Sequence, residues 1–315
     1  MSSQAQTISV PSIPVTSTKS TKPRLSAEAK AERRLGWMLC APAALIMLAV
    51  AAYPVGYSVY LSLQRYDLRF PDQAKFIGLE NYGAVLSSPY WWNALANTVF
   101  ITVCSVALEL VIGMALAIVM YRTVVGRGIV RTAVLVPYGV VTVVAARSWQ
   151  FAFSPDIGYL SKLLGNSAPL THHWSALFII VLAEVWKTTP FMALLLMAGL
   201  ALVPEDLDKA AKVDGASAWQ RFTKVTLPLM KPTILVALLF RAVDAFRVFD
   251  NIFILTSGGH NTGSVSILGY DNLFTSLNLG IGSAISVLIF FCVAIIAFIF
   301  VKGFGVTMPA SDGGT

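Results

Sequence analysis

Residues 204–216 read Pro204-Glu205-Asp206-Leu207-Asp208-Lys209-Ala210-Ala211-Lys212-Val213-Asp214-Gly215-Ala216, and the polar stretch runs on to Lys231. Acidic residues directly after Pro204 suit the positive end of a helix dipole. Ala210 and Ala211 favour helix and leave a low-profile face. Gly215 permits a turn with positive φ. Trp219, Phe222 and Val225 then fall at i, i+3 and i+6, so a second short helix is expected, limited by Pro228 and Pro232. The segment reads as a helix–turn–helix lying at a membrane surface, because what flanks it on both sides is apolar.

Outward from this segment, six stretches are long enough to cross a bilayer core of about 30 Å. They are Trp37–Leu61, Ala94–Met120, Val130–Phe153, Trp174–Val203, Pro232–Leu255 and Ile281–Val301. The 315 residues are 56% hydrophobic and only 12% charged, and the mean hydropathy is +0.71. That excludes an ordinary soluble domain, a disordered chain and a disulfide scaffold. The fold class is therefore an all-α membrane protein with six transmembrane helices. Cys40, Cys104 and Cys292 each lie in an apolar run and read as small core residues. Pro54, Pro137 and Pro190 lie inside spans and are expected to kink them. Tyr90, Trp91 and Trp92 precede the second span, where an interfacial aromatic belt is expected.

The net charge of +7 is a topology signal. Fifteen Lys and Arg residues fall in the N-terminal tail, the 2–3 loop, the 4–5 loop and the C-terminus. Only Arg65, Arg69, Lys75 and Lys162 fall on the other side. By the positive-inside rule both termini are cytoplasmic. The expected organisation is a polar tail over 1–34, a transmembrane domain over 35–303 and a short cytoplasmic tail over 304–315. External loops are expected at 62–93 and 256–281, with the cytoplasmic loop at 204–231. No basic stripe with interleaved aromatics suggests nucleic acid.

Several ionisable residues lie within spans, where they are costly and by default functional. Glu109 is in the second span, Arg147 in the third beside Trp149 and Gln150, and Glu184 and Lys187 in the fourth. Arg241, Asp244, Arg247 and Asp250 are in the fifth. Glu184, Lys187, Thr188 and Phe191 share one helical stripe. The triplet spacing from Arg241 to Asp250 winds around the helix, so Arg241 and Asp244 can look inward together while Asp250 faces elsewhere. Two readings stand for these charges: a polar lining for a substrate, or ion pairs such as Glu184–Lys187 and Arg241–Asp244. Arg247 and Asp250 are assigned to helix packing or gating, and Glu109 to structure. No Gly-x-x-x-x-Gly-Lys-[Ser/Thr] loop, His-Glu-x-x-His or Gly-x-Ser-x-Gly occurs, so the chain is read as non-catalytic. No catalytic residue, metal site or cofactor is expected within it, and His172, His173 and His260 are placed in external loops.

The 204–231 loop resembles the EAA loop of the permease subunits of binding-protein-dependent ABC importers. Ala210, Ala211, Asp214, Gly215, Ala216, Phe222, Leu227 and Pro228 match, whereas Lys209 stands where the family usually has Glu. The resemblance extends to Phe76–Tyr82, Asn93–Thr98, Glu184–Phe191, Arg247–Asp250 and Leu255–Gly259, which look like motifs of the maltose- and glycerophosphate-type carbohydrate permeases. Overall likeness, carried by no single motif, is to the trehalose-importing branch.

The resemblance implies type I importer architecture and a multi-pass protein of the bacterial cytoplasmic membrane. It implies that Asp208, Lys209, Ala210, Ala211, Asp214, Gly215 and Ala216 couple to an ATPase. It implies sugar contacts at Tyr138, Thr142, Glu184, Lys187, Thr188, Phe191, Arg241, Asp244 and Ala245. Expected partners are a second homologous permease, two ATPase subunits that bind the ATP and Mg, and an external sugar-binding protein, with a lipoprotein form left open. Trehalose is the expected sugar, ahead of other di- or oligosaccharides and glycerophosphate-type ligands. The competing reading is an ion-driven secondary transporter in which Glu109, Glu184, Asp244 and Asp250 carry protons or sodium.

Overall fold

The computed structural model describes residues 27–123, 125–164 and 168–303, with side chains from Arg34 onward. The expected tails therefore lie outside the described residues, except for the helical start at Ala27. Two units are distinguished, residues 1–54 and 55–315. In the first, helix α1 (Ala27–Ser62) leaves the side chains from Arg34 to Pro54 exposed, apart from half-buried Ala41. An apolar helix with no buried face is suited to lipid or to another chain.

The second unit is a helical bundle. Its main helices are α3 (Pro89–Arg122), α4 (Arg127–Gly139), α5 (Thr142–Ala152), α7 (His173–Ala201), α10 (Leu227–Ala245) and α13 (Leu279–Phe298). Short helices join them: α2 (Glu80–Ser87), α6 (Tyr159–Leu163), α8 (Glu205–Val213), α9 (Ala218–Arg221), α11 (Asp250–Leu255) and α12 (Val265–Tyr270). Among the described residues five helices are long and apolar enough to cross a membrane, and the α4–α5 pair makes a sixth span when counted as one. The region between α1 and α2 holds a small antiparallel pair, Gln64–Arg65 against Lys75–Phe76.

Helix α7 is central and packs along α3, with further contacts to α4, α5, α10 and α11. Apolar side chains gain nothing by leaving lipid for one another, so close packing and interhelical polar bonds hold such a bundle together. Small residues allow the approach. A Cβ on Gly113 would lie 2.9 Å from Met192 Cγ, and one on Gly199 would lie 2.7 Å from Thr233 Cγ2. Ile101, Leu177, Ile180 and Ile252 form one core cluster, and Met114, Met192, Leu196 and Met230 another.

Several expectations are corrected. The third span is not one helix over Val130–Phe153: it breaks at Val140–Val141, neither of them helical, and its halves meet at 85°. The second helix of the 204–231 loop is not separate from the fifth span. Residues from Ala218 run through a π-helical turn at Phe222–Thr226 directly into α10, with Pro228 in its first turn and Pro232 inside. Pro228 comes just after the π turn, where the bonding ladder changes register, and it does not end the run. The fifth span then stops at Ala245, and α11 is a separate helix. The second span begins at Pro89 rather than Ala94, and residues 256–281 are not a plain loop but contain α12 and a π turn at Asp271–Thr275. Trp91 is buried with Val85, Phe246 and Ile285 rather than belonging to an aromatic belt, while Tyr90 and Trp92 are exposed. Cys40 is exposed and the other two cysteines are half-buried, so none is a fully buried core residue.

Candidate functional site

A buried ionic network occupies the junction of α3, α7, α10 and α11. Arg241 Nε donates to Glu109 Oε2 at 2.6 Å, and Arg241 Nη2 donates to Glu109 Oε1 at 2.9 Å. This two-pronged geometry matches the planar guanidinium to the carboxylate. Arg241 Nη2 also donates to Thr188 Oγ1 at 3.1 Å, and Thr188 Oγ1 donates to Glu109 Oε1 at 2.7 Å. Arg241 Nη1 pairs with Asp244 one turn along, and Glu184 Oε1 lies 3.7 Å from Nη2. Asn251 Nδ2 donates to Glu184 Oε2 at 2.5 Å, which ties α11 to α7. Three carboxylates thus surround one guanidinium. Glu109 and Arg241 are sealed, whereas the Asp244 side chain is 71% exposed.

The structure divides the expected sugar-contacting set. Glu184, Thr188, Arg241 and Asp244 share this network. Arg241 faces Glu109 rather than open space, because a buried cation without its partner is strongly penalised. Ala245 is fully buried in the cluster with Met192 and Met230. Asp244 remains open. The expected pair Arg241–Asp244 forms, but Glu184–Lys187 does not: Glu184 turns to Asn251 and Arg241, and Lys187 turns to the third span.

Lys187 Nζ donates to Val140 O at 2.6 Å and to Tyr138 O at 3.4 Å. The last carbonyls of a helix have no partner within it. The lysine satisfies such groups where α4 ends, and so secures the break. The Tyr138 and Phe191 rings stack with centroids 5.7 Å apart, and Nζ lies 5.9 Å from the Tyr138 ring centre. Tyr138 is exposed, Phe191 is half-buried, and half-buried Thr142 opens α5 on the other side of the break. Arg247 and Asp250 are exposed at either end of the α10–α11 connection, and among the described residues neither side chain makes a hydrogen bond or ion pair.

The 204–231 segment is an exposed hairpin tied together by its own hydrogen bonds. Gly215 has φ +82°. Its N–H bonds Lys212 O at 3.2 Å, and Ala216 N–H bonds Ala211 O at 3.0 Å, which together close α8 with a Schellman motif. Ser217 and Gln220 form a capping box that opens α9. Arg221 clamps the two helices through Asp208 Oδ1 at 3.0 Å and Ala216 O at 3.1 Å. Asp208 is therefore engaged within the hairpin. Lys209 lies 3.4 Å from Glu205 and 3.6 Å from Asp206 on the exposed face. Ala210, Asp214 and Gly215 are exposed, and Ala211 and Ala216 half-buried. Sequence reasoning missed Asn251 and Arg221. It assigned Glu109 to structure, where it anchors the network.

A cavity of about 1040 Å³ lies between α5, the 154–159 segment, residues 170–171 and residues 255–260. None of the expected sugar-contacting residues lines it.

With these features in place, kinship can be stated. The family model described as binding-protein-dependent transport system inner membrane component matches residues 109–305. The chain belongs to that family. This permease is 64% identical over 283 residues to the trehalose transport system permease protein SugA of Mycobacterium tuberculosis, covering 90% of this chain and 92% of that one. It is 40% identical over 278 residues to the trehalose/maltose transport system permease protein MalF of Thermococcus litoralis, covering 86% and 94%. Its fold matches a chain of a bacterial ABC transporter that imports alginate, with TM-score 0.75 at 21% identity, over 88% of this chain and 98% of that one. The permease is thus a multi-pass inner-membrane component of an ABC-type importer. Neither the family nor the fold supports the ion-driven alternative.

Proposed function

We propose that this permease carries trehalose into the cytoplasm by alternating access. Both termini and the 204–231 hairpin face the cytoplasm. Two ATPase subunits bind ATP and Mg and dock on that hairpin. A second homologous permease completes the pathway, and an external sugar-binding protein, soluble or lipid-anchored, delivers the substrate. The chain itself performs no chemistry.

One observation carries the mechanism. The hairpin connects α7 to α10, and these two helices supply Glu184, Thr188, Arg241 and Asp244. A hairpin tied together in this way transmits displacement to both helices at once, so movement at the ATPase alters the intramembrane network. Within that network Asp244 is open to a sugar hydroxyl, and Tyr138 with Phe191 offers an aromatic face to the sugar's apolar side. Trehalose is assigned by kinship with the Mycobacterium tuberculosis and Thermococcus litoralis proteins.

The test is uptake of labelled trehalose by the assembled complex in proteoliposomes. ATP with binding protein should drive accumulation without an ion gradient. Accumulation that follows a proton or sodium gradient and ignores ATP would reject the proposal.

A further inference from the structure

Arg147 lies in the third span, yet among the described residues it makes no ion pair. Its Nη1 donates to Gln150 Oε1 at 2.7 Å, and Gln150 Nε2 donates to Ile254 O at 2.7 Å. The guanidinium is thereby held on α5 and braced against α11, and Arg147 lines the cavity of about 1040 Å³. A span cation with no carboxylate partner marks a functional position.

The rest of the lining mixes aliphatic and aromatic side chains with a few polar ones. Ser154, Thr171, Ser257 and His260 contribute polar groups, Phe151 and Tyr159 contribute rings, and no Asp or Glu takes part. One wall is prearranged. Ser257, His260 and Asn261 hold positive φ of 52°, 52° and 62°. Asn97 Nδ2 fastens that loop through Asn261 O at 2.7 Å and Gly263 O at 3.1 Å, and the Thr256 and Thr262 hydroxyls meet at 2.7 Å. Strained residues persist where the surroundings over-determine them, and they cluster at ligand sites. The volume lies just above the range of about 300–1,000 Å³ usual for small-molecule sites. By connectivity the cavity sits at the bundle end away from the 204–231 hairpin, because α5, α11 and the start of α7 all lie at that end.

We propose that this cavity is a second sugar station, an outer vestibule that holds an uncharged polyhydroxylated sugar before it reaches the α7–α10 network. The inference rests on the reading of the chain as a sugar permease. Arg147 donates to hydroxyl and ring oxygens of the sugar, and Phe151 and Tyr159 cover its apolar faces. The vestibule keeps released sugar from escaping outward while the pathway switches, so its loss lowers the sugar delivered per ATP.

The experiment uses the full complex with its binding protein in proteoliposomes and radiolabelled trehalose as probe. Trehalose imported per ATP hydrolysed is compared for wild type, Arg147→Gln and Arg147→Lys, and the second permease recovered with each variant is quantified. Arg147→Gln should lower the ratio about tenfold, the fold-change of one charge-assisted hydrogen bond. Arg147→Lys should recover part of the loss, and all three complexes should assemble. An unchanged ratio overturns the vestibule. Loss of the second permease in Arg147→Gln also overturns it, because Arg147 is then half of an intersubunit ion pair. The wild-type arm separates this proposal from its parent: absence of wild-type trehalose uptake removes the substrate assignment, whereas normal wild-type uptake with an unchanged Arg147→Gln ratio removes the vestibule alone.

Discussion

Lys187 Nζ donates a 2.6 Å hydrogen bond to the carbonyl oxygen of Val140, joining the middle of α7 to the break in the third span. This lysine is a fastener for a bent backbone and holds Tyr138 beside Phe191. Removing it leaves helix-end carbonyls without a partner in a membrane interior, a cost of about 1–3 kcal/mol. Lys187→Met should therefore lower the maximal rate of ATP-driven uptake and the thermal stability of the complex together, and Lys187→Arg should retain part of both. A rise in KM alone, at unchanged stability, would instead make Lys187 a direct sugar contact.

Glu109 and Asp244 flank the same guanidinium but should respond differently to amidation. Glu109 is fully buried and takes two prongs of Arg241, so Glu109→Gln weakens the main pairing of a sealed cation. Arg241 keeps Asp244 and the more distant Glu184, so the cost stays below the about 3–5 kcal/mol of a buried charge left with no partner. The amount of permease in the membrane should fall. The Asp244 side chain is 71% exposed, and without it Arg241 keeps its two-pronged bond to Glu109. Asp244→Asn should leave membrane levels intact and reduce uptake. Immunodetection in membranes beside transport assays reads both. Equal loss of protein in the two variants would make Asp244 structural as well.

The spans were legible because length and apolar content alone mark a membrane-crossing segment. The hairpin was legible because its helix signals are local: Pro204, the acids behind it, and Gly215. The break in the third span was not, because apolar residues continue unchanged through Val140 and Val141. What stabilises the break is Lys187, 47 residues from Val140. Asn251 escaped notice for a similar reason, since its partner Glu184 is 67 residues away. Arg221 read as one more cytoplasmic cation until the fold brought it to Asp208. Charge periodicity treats the fifth span as unbroken, whereas Asp250 stands apart from Arg241 because α10 ends at Ala245 and Asp250 opens α11. It could not reveal that Arg241 faces α3, which only the buried Glu109 dictates.

Gly215 holds φ +82°, and a Cβ there would meet nothing within 4 Å. Any penalty on substitution thus comes from the backbone alone, about 1–2 kcal/mol for an L-residue in this conformation. Gly215→Val should open the Schellman turn, leave the chain inserted and assembled with the second permease, and abolish uptake. Gly215→Asn should be milder, since Asn tolerates left-handed geometry. Transport and ATPase co-purification measure this. Full uptake in Gly215→Val would show that the hairpin's angle does not matter for coupling.

Lys209 occupies the position where the related loops usually carry Glu, and its only ion pairs among the described residues are exposed ones with Glu205 and Asp206. Lys209→Glu converts these attractions into like-charge contacts, costing about 0.2–0.5 kcal/mol per pair. Lys209 stands at the middle of α8, beyond the first turn where the helix dipole acts, so only this small repulsion counts. The cost is slight, so α8 should keep its form. The Arg221–Asp208 clamp does not involve the Lys209 side chain. The variant should retain its ATPase partner on purification and keep uptake within about twofold of wild type, the scale of an exposed ion pair. Loss of the ATPase at normal membrane levels would instead show that Lys209 meets an acidic group on the ATPase surface, and that the departure from Glu is matched by a change in the partner.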